Sequence, residues 1–299
     1  MTRIAILGQG AWGSALAATL AAGGNTVIGW RRHDDPSDLG QAELVLSAVP
    51  AQATRQVLSD LAPHMAGDVP IVLTAKGLER ETMKLQSDVA AEAAPGHPLG
   101  VLTGPSFADD LAAGQPTAVT LACAESALGE RVQQALATPS LRPYLTDDVI
   151  GAQVGGALKN VMAIACGAAI GAGLGESARA ALMTRGFAEL TRLGTAMGAR
   201  AETLGGLSGL GDLALTTASE KSRNFAYGFA LGRGATPAEL AADGRTYEGA
   251  TTAPAAQALA RRLGQEAPIT DAVAGLVAGD LAVAEAFRKL MHRPLKRET

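Results

Sequence analysis

In the first half of the chain, short apolar runs alternate with longer stretches whose apolar positions recur at helical spacing. Arg3–Leu7, Thr26–Trp30, Glu43–Val49, Pro70–Ala75, Pro98–Thr103 and Thr117–Ala122 each read as a strand. Most are continuously apolar, as strands covered on both faces should be. Ala11–Ala22, Gln52–Ala62, Thr82–Ala93 and Glu125–Ala137 read as the helices between them. Strand and helix in alternation predict a parallel, doubly wound sheet of the Rossmann α/β class. The uncharged run from Ile4 to Trp30 could pass for a membrane span, but Gly8, Gly10, Gly13, Gly23 and Gly24 interrupt it. A buried strand–turn–helix–strand explains it better.

After about Asp147 no convincing β run appears, and Ala/Leu/Gly stretches at helical spacing take over, the first helix starting near Asp148. Thr236-Pro237-Ala238-Glu239 reads as an N-cap, a first-turn proline and a capping-box glutamate. The expectation is a sheet domain over residues 1–147 and an all-α domain over 148–299.

The length of 299 residues leaves room for two cores. With 25 basic and 29 acidic side chains the chain lacks the basic excess of a nucleic-acid binder. Two cysteines, Cys123 and Cys166, cannot build a disulfide framework, and four scattered histidines have no metal-ligand spacing. A cytoplasmic protein with reduced thiols, no metal, no nucleic-acid partner and no membrane partner is expected. A homodimer is compatible with the sequence.

The clustered glycines carry the first chemical signal. Gly8-Gln9-Gly10-Ala11-Trp12-Gly13 fits G-x-G-x-x-G, follows a strand and opens a helix, which is the context the motif requires. Gly8 permits the tight turn, Gly10 the approach of a pyrophosphate, and Gly13 close packing of helix on sheet. The helix N-terminus offers free N–H groups to the phosphates. Where an NAD site places a carboxylate at the end of the second strand, this chain has Trp30-Arg31-Arg32. Two guanidinium groups suit a 2′-phosphate, so NADP(H) is favoured and NAD(H) remains open. Asp34 and Asp35 follow, beyond the expected reach.

Only six of the 25 basic residues are lysines, so a lysine in an apolar setting stands out. Lys159 lies in Gly155-Gly156-Ala157-Leu158-Lys159-Asn160 on the helix expected from Asp148. A buried ammonium needs a partner or a ligand, and burial lowers its pKa toward a useful proton donor. The bland alternative is a lysine snorkelling to solvent. Lys76 follows a strand's carboxyl end, where open α/β sheets bind ligands. Gly104 and Ser106 sit at another such end. Asp212, in the glycine-rich Gly205–Asp212 loop, could pair with a lysine from elsewhere. Ser222-Arg223-Asn224 combines a hydroxyl, a guanidinium and an amide suited to a phosphate. Together they point to a small anionic substrate.

These residues resemble the bacterial-type NAD(P)H-dependent glycerol-3-phosphate dehydrogenases. The resemblance rests on GQGAWG at 8–13, TAKGL at 74–78, TGPSFA at 103–108, GGALKN at 155–160, ARAALMTRG at 178–186, GLGDL at 209–213, SRN at 222–224 and YEG at 247–249, and covers almost the whole chain. It implies a Rossmann domain, a helical domain and interconversion of dihydroxyacetone phosphate and sn-glycerol 3-phosphate for glycerophospholipid synthesis. It implies Lys159 as the proton-transfer residue, with Lys76, Gly104, Ser106, Asp212, Ser222, Arg223 and Asn224 at the substrate. It also implies NADPH contacts from Ala11, Trp12, Arg32, Lys76, Ala108, Arg223, Thr246 and Glu248. Two departures stand out. The chain runs through Asp34–Gln41 almost directly into the next strand, omitting a longer segment usual in the family, and Ser177 replaces the usual asparagine. Two competing readings remain: another NADP-dependent Rossmann dehydrogenase of a small hydroxy or keto acid, and a non-catalytic dinucleotide-binding regulator.

Overall fold

The computed structural model describes residues 1–295. Seven strands form one sheet: β1 (Arg3–Leu7), β2 (Thr26–Trp30), β3 (Leu44–Ser47), β4 (Ile71–Leu73), β5 (Leu99–Thr103), β6 (Thr117–Cys123) and β7 (Leu141–Thr146). They lie in the order β2-β1-β3-β4-β5-β6-β7. Helices α1 (Ala11–Ala22), α2 (Thr54–Leu61), α3 (Gln86–Ala93), α4 (Ala108–Ala112) and α5 (Ser126–Leu136) connect them. Side chains from successive positions go to opposite faces. Ile4, Ile6, Leu44 and Leu46 join one buried cluster. Ala5, Leu7 and Val45 join the other. Both faces are therefore core, which is why the strands read as unbroken apolar runs.

Two expectations are corrected here. The sheet is not wholly parallel: β5 and β6 run antiparallel, with Thr103 opposite Thr120. The connection between them contains only the five-residue α4, and an antiparallel neighbour needs no long crossover. β7, an edge strand that pairs parallel to β6, carries no continuous apolar run because its residues alternate between buried and exposed. Only Leu141 and Pro143 are buried along it, and an edge tolerates proline. The helix expected from Thr82 begins four residues later, at Gln86, since Met83 adopts φ +60°, outside the right-handed helical region.

From Val149 onward the described residues are helical or irregular. α6 (Val149–Gly171) is the central rod, surrounded by α7 (Gly175–Ala196), α8 (Ala201–Leu204), α9 (Asp212–Thr217), α10 (Arg223–Gly232), α11 (Pro237–Ala241), α12 (Glu248–Arg262), α13 (Pro268–Ala278) and α14 (Val283–Met291). α6 is long and apolar enough to cross a membrane, but 94% of that window is buried inside the fold, as in a core helix. Asp148 caps α6, its carboxylate accepting from Gly151 N at 2.8 Å and Arg200 N at 2.8 Å. The capping box at Thr236 and Glu239 is formed. α6 and α10 pack so closely that a Cβ on Gly167 would stand 2.1 Å from Phe225 O.

Candidate active site

The glycine-rich turn after β1 has the geometry its motif requires. Gly8 adopts φ +94°, and a Cβ on Gly13 would fall 1.9 Å from Gly8 O, so α1 can start this close to the turn only with glycine there. A Cβ on Gly10 would meet no atom within 4 Å, which leaves open space in front of the helix. The first turn of α1 has neither an acidic residue nor a side-chain cap, so its N–H groups face that space free of competition. Ala11 is exposed. Trp12 and Ala108 are half-buried against the core cluster shared by α1 and α4. This cradle fits a dinucleotide pyrophosphate.

At the carboxyl ends of β4 and β5 the helical half closes onto the sheet around a buried ionic triad. Lys159, on α6, is only 7% exposed, so it does not snorkel to solvent. Its Nζ lies 2.9 Å from Asp212 Oδ1 and donates to Thr216 Oγ1 at 2.8 Å. The Thr216 hydroxyl in turn donates to Asp212 Oδ1 at 3.2 Å. The other oxygen, Asp212 Oδ2, accepts from Lys76 Nζ at 2.7 Å, and Lys76 Nζ also donates to Gly104 O at 2.9 Å. Ser106 Oγ donates to the same carbonyl at 3.2 Å.

Two glycines let α6 deliver its lysine to this point. A Cβ on Gly155 would lie 2.5 Å from Ser208 O, in the π-helical turn Leu207–Gly211 that leads into Asp212. A Cβ on Gly156 would lie 2.7 Å from Thr103 Oγ1 and 3.4 Å from Lys76 Cγ. The bare helix surface one turn before Lys159 thus contacts the strand end on one side and the Asp212 turn on the other. Asp212 is therefore the first residue of α9, where the sequence suggested a loop.

Burial and charge set the protonation of the triad. Burial pushes the Lys159 ammonium down to about 8, with the Asp212 carboxylate resisting and the Lys76 charge adding to the fall. Burial works against the Asp212 charge, yet the Lys159 and Lys76 ammoniums hold its carboxyl below the usual range. Two ammoniums share one carboxylate, so the triad carries net positive charge. Glu248, half-buried at the start of α12, has its carboxyl raised by burial against the pull of Lys76, Lys159 and Arg223.

The other expected residues divide into three groups. Arg223 is exposed and near enough to influence Glu248. Ser222 and Asn224 are buried and already engaged. Ser222 Oγ caps α10 by accepting from Phe225 N at 3.2 Å, and Asn224 Oδ1 accepts from Gly249 N at 2.9 Å. The Ser-Arg-Asn run thus ties α10 to α12, leaving the serine proton and the asparagine amide hydrogens as donors. Arg31, Arg32 and Thr246 are exposed and remain apart from the triad. Asp34, expected beyond reach of a cofactor ribose, folds back onto the β2 end. A turn with His33 at φ +77° reverses the chain and brings Asp34 Oδ2 to 2.7 Å from Arg31 N. Asp35 Oδ1 accepts from Ser37 N at 3.0 Å.

Sequence reasoning missed Thr216 and the role of Asn160. Thr216 lies one helical turn after Asp212, the only signal available. Asn160 Nδ2 donates to Lys76 O at 3.2 Å and so fixes the backbone that carries the second lysine. Gln86 Nε2 holds the next carbonyl, Gly77 O, at 3.2 Å.

Comparison with known proteins agrees with this geometry. The family model for the NAD-dependent glycerol-3-phosphate dehydrogenase C-terminus matches residues 148–288. The N-terminal model of the same family matches in two pieces, residues 3–39 and 36–129, which meet in the shortened segment. A Caulobacter vibrioides protein named glycerol-3-phosphate dehydrogenase (NAD(P)+) is 47% identical, covering 99% of this chain and 98% of its own. A Sphingopyxis alaskensis protein of the same name is 49% identical over 98% and 97% of the two chains. The crystal structure of glycerol-3-phosphate dehydrogenase from Coxiella burnetii superposes with a TM-score of 0.93 at 35% identity, covering 98% of this chain and 99% of that one. The chain belongs to the NAD-dependent glycerol-3-phosphate dehydrogenase family.

Proposed function

We propose that this protein interconverts dihydroxyacetone phosphate and sn-glycerol 3-phosphate with NADP(H), and with NAD(H) as a second cofactor, supplying the glycerol backbone of phospholipids. The observation that carries this reading is the Asp212 carboxylate held between the Lys159 and Lys76 ammoniums beside the strand ends. The dinucleotide, when bound, supplies the hydride in one direction and takes it in the other.

Reduction of a ketone builds negative charge on its oxygen, and a buried ammonium both stabilises that charge and protonates it. Lys159 has this role, with a pKa of about 8 that keeps it protonated at neutral pH and able to release the proton. In oxidation the neutral amine takes the proton of the substrate hydroxyl. Asp212 and Thr216 orient Nζ, which leaves one ammonium direction for the substrate. Lys76, Arg223 and the amide of Asn224 bind the anionic end, and binding so far from the reacting carbon aligns the carbonyl. Ser222, Gly104 and Ser106 line the same region. Gly8, Gly10 and Gly13 form the pyrophosphate cradle, with Ala11, Trp12, Ala108, Thr246 and Glu248 along the cofactor. A reducing, cytoplasmic setting suits the free, buried Cys123 and Cys166, whose thiols burial raises to about 11 and about 12.

The test is loss of nicotinamide absorbance when dihydroxyacetone phosphate is added to purified protein and NADPH. Substrate-dependent oxidation is the expected result. A folded protein that binds NADPH and turns over neither NADPH nor NADH with this substrate overturns the catalytic reading in favour of a dinucleotide-binding regulator.

A further inference from the structure

The turn leaving β2 places opposing charges where the adenosine ribose of a dinucleotide would lie. Trp30 O accepts from Gly8 N at 2.9 Å, so the end of β2 is tied directly to the glycine-rich cradle. Immediately beyond, Asp34 N donates to Arg31 O at 3.0 Å, and Trp30 Nε1 donates to Asp34 O at 3.1 Å. Asp34 Oδ2 is held on Arg31 N, the first backbone N–H after the strand. In dinucleotide folds that select NAD, a carboxylate at this strand end accepts from the ribose 2′-hydroxyl. Asp34 returns to this strand end although it lies too late in the sequence for the usual spacing.

Arg31 and Arg32 share the turn, both exposed, and neither guanidinium forms an ion pair among the described residues. The connection from here to β3 carries the 3-10 turn Ser37–Gln41, and its other carboxylates, Asp35 and Asp38, follow Asp34 along the chain. Two guanidiniums attract a 2′-phosphate, while one carboxylate repels it and accepts from a 2′-hydroxyl. Preference is the difference between the two affinities.

We propose that Asp34 sets the cofactor preference of this chain, holding back the selection of NADPH that Arg31 and Arg32 would otherwise impose and giving NADH a hydrogen-bond acceptor. The inference rests on the dinucleotide-binding reading above.

The experiment is fluorescence titration of NADPH and NADH, without substrate, into the wild-type protein and the Asp34→Asn and Arg31→Ala/Arg32→Ala variants. Asparagine keeps an acceptor for Arg31 N and removes the charge. Asp34→Asn should move the ratio of the two dissociation constants toward NADPH by about tenfold, and the shift should shrink as salt is added. The double arginine variant should move the ratio toward NADH. A ratio that stays within about twofold of wild type in Asp34→Asn, or an equal change for both dinucleotides, overturns the assignment of Asp34. If the folded wild-type protein binds neither dinucleotide, the dehydrogenase reading falls and this inference with it.

Discussion

Lys159 Nζ and Asp212 Oδ1 lie 2.9 Å apart in the interior, one on the central helix and the other at the start of a short helix behind a π-helical turn. Neither charge could be buried alone, since an isolated ammonium or carboxylate is too costly to desolvate. Because Asp212 also carries Lys76, the pair links the helical half to the sheet and sets the chemistry at their junction.

Replacing Lys159 by methionine keeps the apolar stem and removes the proton. Ketone reduction should fall by about a thousandfold or more, the range of a lost general acid at a single step. The NADPH dissociation constant, measured by fluorescence, should stay unchanged. Reduction at wild-type rate in the variant would exclude Lys159 as the donor.

The pH dependence follows from the same amine. Burial lowers its pKa from the ordinary lysine value to about 8, so the acid form needed for reduction is lost as pH rises through about 8. Initial rates of reduction should therefore decline above that pH. Oxidation, which needs the neutral amine, should rise over the same interval. Profiles in which both directions move together would contradict this assignment.

Asp212→Asn leaves two buried ammoniums without their counter-charge. Breaking a buried ion pair from one side costs about 3–5 kcal/mol, so the denaturation midpoint should fall sharply. The amine would also lose its proton more readily, and the alkaline limb of reduction should shift to lower pH. Retention of wild-type stability would show that the carboxylate is not the counter-ion of both lysines.

The two cradle glycines should respond differently to alanine. At Gly10 the added methyl meets nothing within 4 Å, so the fold should persist while dinucleotide affinity drops by about tenfold or more through collision with the pyrophosphate. At Gly13 the methyl would sit 1.9 Å from Gly8 O, so thermal stability should fall as well. Melting curves and NADPH titrations separate the two.

Glu189 offers a control remote from the chemistry. Its buried carboxylate accepts from Ile269 N at 2.9 Å and Thr270 N at 2.8 Å, capping α13 from α7. Glu189→Ala orphans those donors, and stability should fall by about 1–3 kcal/mol with NADPH affinity unchanged. An unchanged melting temperature would show that the cap contributes little.

Features encoded by neighbours along the chain are legible in the residues themselves. β1 matches its apolar run because burial on both faces leaves no alternative to continuous hydrophobicity, and β2, half-buried at the sheet edge, matches because Val27, Ile28 and Trp30 still pack against the core. α1 and the glycine turn match because the motif encodes its own backbone, and Asp148 starts α6 because a carboxylate caps the helix that follows it. Lys159 stands out because a lone ammonium in an apolar helix creates an electrostatic problem that something else must solve.

How that problem is solved depends on distant partners. Lys76, Lys159, Thr216 and Asp212 converge because Gly155 and Gly156 allow α6 to touch both the strand end and the π-helical turn, and no local pattern specifies that contact. Ser222 and Asn224 reveal their structural bonds only beside Phe225 and Gly249. Asp34 returns to β2 through a left-handed turn that spacing alone does not signal. The antiparallel β6 and the edge strand β7 likewise depend on which neighbour each strand meets. Periodicity and capping act over a few residues and leave a mark in the chain, whereas ion pairing and strand direction are settled only when remote segments meet.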